Sequence, residues 1–263
     1  MRYLSLRNRA ILREMVGADF KVRYQSSVLG YFWSVLRPLF LFVILYVVFT
    51  YIFQVGKGVP HYPVYLLLGI VIWNFFSEST IIGMSAVVGK GDLIRKIAIP
   101  RYLTVLSSSV SALINLGINL VVVIIFALIN GVSLTWLWLL LPLPFAELFI
   151  FSTALAFFLS ALYVKFRDIT YIWEVGLQAA FYATPILYPL SIVGEQYRQY
   201  FFLNPMTQII QDARYMLVTP DAITVWNIAP LWFGLIPLVI VAISVVLSSV
   251  YFKSQARLFA ENI

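Results

Sequence analysis

Hydrophobic positions in this chain gather into long runs. They do not alternate as in strands, and few of them form the one-sided stripe of a surface helix. Six runs approach the ~20 apolar residues that a membrane-crossing helix needs: 36–55, 64–88, 102–130, 136–163, 169–187 and 230–252. Pro38 falls in the first helical turn of the first run, where proline is tolerated. Asn130-Gly131 is a turn signal between the third and fourth. The fifth run is short and ends at Pro185. The pattern predicts an all-α integral membrane protein with six transmembrane helices, folded as one transmembrane domain over 1–263. No internal repeat is apparent, which weakens the case for an inverted-repeat secondary transporter.

Two stretches depart from this pattern. In residues 1–30, Ile11, Leu12, Met15, Val16 and Phe20 fall near helical spacing, with Arg2, Arg7, Arg9, Arg13, Lys21 and Arg23 around them. That predicts an amphipathic helix in the membrane interface, its cations near anionic headgroups; a merely basic tail is the alternative. The segment 186–229 carries Pro189, Asn204-Pro205 and Pro220, yet is rich in Tyr, Phe, Met and Ile. Such a segment is too apolar for a solvated loop and too broken for a span. Short re-entrant helices reconcile the two, because irregular backbone at membrane depth must be buried in protein or line a cavity.

Composition sharpens the picture. Charged residues make up 11% of the chain, against roughly 25% in a typical soluble domain, and mean hydropathy is +0.93. With no cysteine and one histidine, there is no disulfide framework, thiolate site or multi-histidine metal site. The net charge of +7 is explained by where it sits. Fifteen of the 18 Lys and Arg residues lie before Pro38, between Lys90 and Arg101, at Lys165 and Arg167, or from Lys253 onward. Cytoplasmic loops collect Lys and Arg, so these four places and both termini are expected in the cytoplasm. The charge then meets lipid headgroups, not nucleic acid. No cleavable signal peptide is evident.

Chemistry is sparse. The stretch from Gly83 to Gly91, GMSAVVGKG, has one residue too many between its glycines for a phosphate loop and lacks the magnesium-binding Ser or Thr. Neither an acid pair at hydrolase spacing nor a nucleophile–base arrangement is present, so no catalytic residue, metal site or cofactor is expected. More informative is the cytoplasmic segment after the second span. Asp92 can cap a short helix on which Leu93, Ile94 and Ile97 share a face, with Lys96 beside them and Pro100 as the stop. This is either a knob for a soluble partner or a capped connector tucked under the bundle.

Aromatics are 17% of the chain. Phe42, Tyr46, Phe49 and Phe53 form one helical stripe in the first span. Packing against lipid or other helices is the simpler explanation of such a face; a stacking surface for a sliding substrate is the alternative. Tyr171, Glu174, Gln178 and Tyr182 form a polar stripe in the fifth span, which either lines a conduit or bonds helix to helix. The stripe of Thr104, Ser108, Ser111, Asn115 and Asn119 reads as helix packing. Glu78 and Glu147 each need a partner or water.

Four stretches, in order, resemble the permeases of ABC exporters that move polysaccharides or teichoic acids on lipid carriers (Wzm-like and TarG-like families). They are the LGYFWSVLRPL run from Leu29 to Leu39, the LIRKIAIPR run from Leu93 to Arg101, Phe166-Arg167-Asp168-Ile169, and Thr184-Pro185-Ile186-Leu187-Tyr188-Pro189 followed by Asn204-Pro205. Ile99 stands where that family commonly has Phe. The resemblance implies a homodimer in the bacterial cytoplasmic membrane, with two separate ATPase subunits that hold ATP and magnesium. The substrate would be a lipid-linked glycan. Asp92, Leu93, Ile94, Lys96 and Ile97 would couple to the ATPase, with Arg167 and Asp168 as a second contact. Arg23, Trp33 and Arg37 would meet the lipid headgroup at a gate formed by the amino-terminal helix. An exporter of drugs or small lipids, a secondary transporter and a membrane glycosyltransferase remain as alternatives. The long aromatic segment, independence from an ATPase and an acid or metal motif are the respective discriminators.

Overall fold

The computed structural model describes residues 6–24, 30–91 and 99–255, and among these the chain forms helices and turns without strands. Among the described residues five helices are long and apolar enough to cross a membrane. The first, α1 (Leu6–Tyr24), is not one of them. It is followed by α2 (Trp33–Val47), which continues through a π-helical turn, Val48–Ile52. Next come α3 (Tyr62–Gly89), α4 (Tyr102–Ile129) and α5 (Pro142–Lys165), the last entered through a 3-10 turn, Trp136–Leu140. The helix α6 (Ile169–Ala183) leads to the short helices α7 (Glu195–Phe201), α8 (Pro205–Leu217), α9 (Val225–Ile228) and α10 (Leu231–Gly234). The last, α11, spans Ile236–Gln255.

The fifth predicted span is shorter than its apolar run. Instead of reaching residue 187, α6 stops at Ala183, because the residue before a proline is pushed out of the helical region and Pro185 follows Thr184. Its 15 residues rise about 22 Å, less than the ~30 Å hydrocarbon core. It runs along the middle of its neighbour α3, from Thr80 to Trp73. Trp173 Nε1 donates to Thr80 Oγ1 of α3 at 3.1 Å, and Phe181 meets Trp73 of α3 edge-on with centroids 5.8 Å apart. Beyond the helix, the Pro185 and Ile186 carbonyls reach the level of Tyr65, where one arginine binds all three.

At the centre stands α3. Of its most apolar window 72% is buried, against 11% for the first span. Without a hydrophobic force between helices in lipid, close packing and polar bonds must hold them. Both are present. A methyl group built on Gly83 would stand 2.6 Å from Ala156 Cβ of α5, so the two backbones cross closely. On the α4 side, Asn115 Nδ2 donates to Glu78 Oε2 at 2.8 Å. The predicted packing stripe of α4 is buried. Its hydroxyls mostly bond back along their own helix, as Thr104 to Arg101 O at 2.7 Å and Ser108 to Thr104 O at 3.1 Å, which satisfies them without a partner helix.

On the opposite side of the bundle from the basic clusters, α8 is buried between α3, α5 and α11. Its start is written locally: Asn204 Oδ1 accepts from Met206 N at 3.0 Å, and Pro205 occupies the first turn. Arg214, with no exposed surface, anchors it. Its guanidinium donates to Tyr65 O (3.1 Å), Pro185 O (2.6 Å), Ile186 O (2.7 Å) and Gln211 Oε1 (3.0 Å), and stacks on the Tyr65 ring at 3.4 Å. Gly69 leaves room for it, since a Cβ there would stand 2.6 Å from Arg214 Nη2.

Candidate functional site

Two surfaces carry the residues singled out by the sequence. The first is formed by the outward faces of α2 and of α6, each of which packs on α3. The aromatic stripe of α2 divides along the helix. Phe42 is buried, stacked on Tyr46 (5.7 Å) and edge-on to Phe126 of α4 (5.6 Å). Tyr46 is half-buried and meets Tyr51 edge-on at 6.3 Å. Phe49 is half-buried and Phe53 exposed, their rings 5.5 Å apart. The π turn between them, with Phe53 N donating to Val48 O at 3.0 Å, adds a residue to the turn and shifts the stripe that a regular helix would continue.

On α6 only Leu177 is buried. Tyr171, Glu174, Gln178 and Tyr182 are all exposed and follow one another at helical spacing along one stripe. A helix facing lipid would present apolar side chains here, since a carboxylate or amide in hydrocarbon is costly. This stripe calls for water or a second protein surface.

The second surface is the end of the bundle where the basic clusters converge. Here α1 packs on the start of α4 through Met15, Ile99 and Leu103, with Ile11 and Leu12 beside them. An ion pair clamps it: Lys90 Nζ lies 2.7 and 2.8 Å from the two Asp19 carboxylate oxygens and 3.0 Å from Ser107 Oγ. Beside the pair lies a cavity of about 470 Å³, also lined by Met15, Val22, Ile82, Ser108 and Ser111. Trp33 and Arg37 are exposed one turn apart at the start of α2. Arg167 is exposed with its guanidinium 5.0 Å over the Tyr163 ring, and Asp168 is the exposed cap residue of α6. Asp92, Leu93, Ile94, Lys96, Ile97 and the side chain of Arg23 fall outside the described residues.

Sequence reading missed the Asp19–Lys90 clamp and the anchoring role of Arg214. The first had no local signal, the two residues being 71 apart. The second had one: Arg214 is a cation in an apolar segment away from the four basic clusters. Among the described residues no group of three or more His, Cys, Asp or Glu is placed to hold a metal ion.

Comparison with known sequences decides the family. A family model of the ABC-2 type transporters matches residues 12–218. The chain belongs to the ABC-2 type transporter family. The matched part of this transporter runs from α1 to the end of α8 and takes in both candidate surfaces. The transporter is 31% identical to the O-antigen export system permease protein RfbA of Myxococcus xanthus over 263 residues, covering 97% of this chain and 96% of that protein. It is 30% identical to an RfbA permease of Klebsiella pneumoniae, covering 89% and 90%. To the polysialic acid transport protein KpsM of Escherichia coli it is 21% identical, covering 74% and 76%.

Proposed function

We propose that this chain is the membrane-spanning subunit of an ATP-driven exporter of lipid-linked polysaccharide in the bacterial cytoplasmic membrane. The observation that carries this reading is the end-to-end similarity to two permeases named for O-antigen export. Two copies of the chain face each other across α2 and α6, and two ATPase subunits bind beneath. ATP and magnesium belong to those subunits, and this chain catalyses no bond change.

Several features support the assembly. The polar stripe of α6 and the barely buried first span need a covering that one copy does not supply. Glu174, Gln178, Tyr182 and the exposed Phe53 then border the conduit, backed by Phe49, Tyr46 and the inward-packed Phe42. Aromatic and neutral polar groups let a sugar polymer slide, because they offer stacking faces without fixed ionic contacts. Counting α6 with the extended stretch after it as a crossing makes six, and both termini are then cytoplasmic, as the Lys and Arg distribution requires. The short helices from α7 to α10 dip back from the outer face. At the cytoplasmic leaflet Arg23, Trp33 and Arg37 receive the anionic headgroup of the carrier. ATPase motion enters through Asp92, Leu93, Ile94, Lys96 and Ile97, and through Arg167 and Asp168.

Leu93→Asp places a charge on the apolar docking face. With the permease present at its normal level, cells relying on it lose surface polysaccharide, and ATPase binding to the purified permease falls; normal export and binding would overturn the coupling assignment. Polymer export by the purified assembly without ATP hydrolysis would overturn the function itself.

A further inference from the structure

The first span carries a backbone defect that another helix repairs. α2 begins at Trp33, ahead of the apolar run, so Pro38 is its sixth residue and lies inside the helix, not in the first turn as the run predicts. In an α-helix each carbonyl bonds the N–H four residues on. Ser34 O is therefore due the N–H of residue 38, and proline has none. The pyrrolidine ring also crowds that same carbonyl and pushes it aside. In a membrane-spanning helix a backbone group freed in this way has to be satisfied by a neighbouring helix or side chain.

The donor comes from α4. Asn119 Nδ2 donates to Ser34 O at 3.2 Å and to Asn115 O, one turn back on its own helix, at 2.9 Å. The two hydrogens of one amide thus serve two carbonyls. Asn115 Oδ1 lies 3.5 Å from the same nitrogen. All three of these oxygens are acceptors, so the amide must turn its nitrogen toward them and not its oxygen. Asn119 is 6% exposed, and a hydrogen bond shielded from water is the stronger for it. Asn115 is itself tied to α3, its Nδ2 donating to Glu78 Oε2 at 2.8 Å. A run of amides therefore leads from α3 through α4 to the start of α2.

The start of α2 is where this bond matters. Of the residues of α2 only Pro38 and Phe42 are buried. Phe42 meets Phe126 of α4 edge-on at 5.6 Å, so α2 and α4 touch at two matched points, Ser34 on Asn119 and Phe42 on Phe126. The aromatic contact holds the body of the helix beyond the proline. The Asn119 bond holds the stretch before it, which carries the exposed Trp33 and Arg37.

We propose that Asn119 is a positioning residue: it replaces the amide that Pro38 lacks, and so fixes the aim of Trp33 and Arg37 where the carrier headgroup enters. The role of those two side chains rests on the transport reading above; the bond does not. A regular helix would carry this bond within itself. Here the donor belongs to α4, so the entry turn of α2 follows any movement of α4.

Pro38→Ala gives Ser34 O its own N–H and makes Asn119 dispensable, which supplies the test. The chain has no cysteine, so Phe32→Cys, at an exposed position just ahead of α2, takes a single spin label in the full-length protein in nanodiscs. Electron paramagnetic resonance should show an ordered label in the otherwise native background and a clearly more mobile one with Asn119→Leu. With Asn119→Leu and Pro38→Ala together the label should be ordered again. In cells, without the label and at the normal permease level, Asn119→Leu should lower surface polysaccharide several-fold, and the double variant should recover most of it. A label as ordered with Asn119→Leu as without it, or a double variant as mobile as Asn119→Leu, would overturn the proposal. So would a mobile label with unchanged export. Should Asn119→Leu fail to accumulate, recovery of its level in the double variant supports the repair, and no recovery overturns it. The spectra do not depend on what is exported, so their failure is distinct from failure of the transport reading.

Discussion

α3 and α6 lie side by side, both drawn from apolar runs of the same chain, and they solve opposite problems. In α3 most side chains are buried, Glu78 and Thr80 are bonded to neighbouring helices, and small residues bring α5 close. In α6 one residue is buried and a carboxylate, an amide and two tyrosines point outward. The difference shows that hydrophobicity alone does not separate scaffold from working surface in a membrane protein. Lipid is as apolar as leucine, so both kinds of helix are apolar on average. What separates them is whether their polar atoms are satisfied within one copy of the chain.

Three variants break or sharpen that contrast. The largest effect is expected from Arg214→Ala, which strands three buried carbonyls and Gln211 and frees the end of α6 from α3. Each buried group left unpaired costs about 1–3 kcal/mol, so the variant should fail to accumulate in membranes, measured by immunoblot and by size-exclusion profile in detergent. Gly83→Val attacks α3 where it crosses α5. Overpacking there should cost about 1–3 kcal/mol, read as a lower unfolding midpoint with the fold retained. The smallest change in stability is expected from Gln178→Ala with Tyr182→Ala on α6. Stability should stay within about 0.5 kcal/mol of wild type for each, while export of long glycans slows. A stability loss as large as at Gly83 would mean that α6 is scaffold too, and the contrast would fail.

Much of the architecture was legible beforehand because membrane-crossing is a one-dimensional requirement. Of the six spans expected from length and hydropathy, five correspond to helices long and apolar enough to cross among the described residues, and Pro185 marked where the remaining one, α6, stops short. The α4 stripe of small hydroxyls and amides was readable as packing, and Glu78 as needing the partner it finds in Asn115. The aromatic stripe of α2 was less legible. Its positions were right for a regular helix, but a π turn and a packed Phe126 sort its members into buried and exposed. Nothing local announces either. The Asp19–Lys90 clamp was hidden for a different reason. Lys90 had a sufficient explanation as a topology charge, and its partner comes from a helix far away in sequence.

The amino-acid sequence by itself determined that lipid is this protein's solvent and that most of its lysines and arginines gather in four short stretches beside the apolar runs. Those follow from summed properties that do not depend on which helix touches which. Only the tertiary structure decided that α3 is the axis, that Arg214 joins α8, α3 and the end of α6, and that the α6 polar stripe is left bare. Burial and pairing are properties of contacts, and contacts between distant residues are set by packing geometry that no single stretch of the chain encodes.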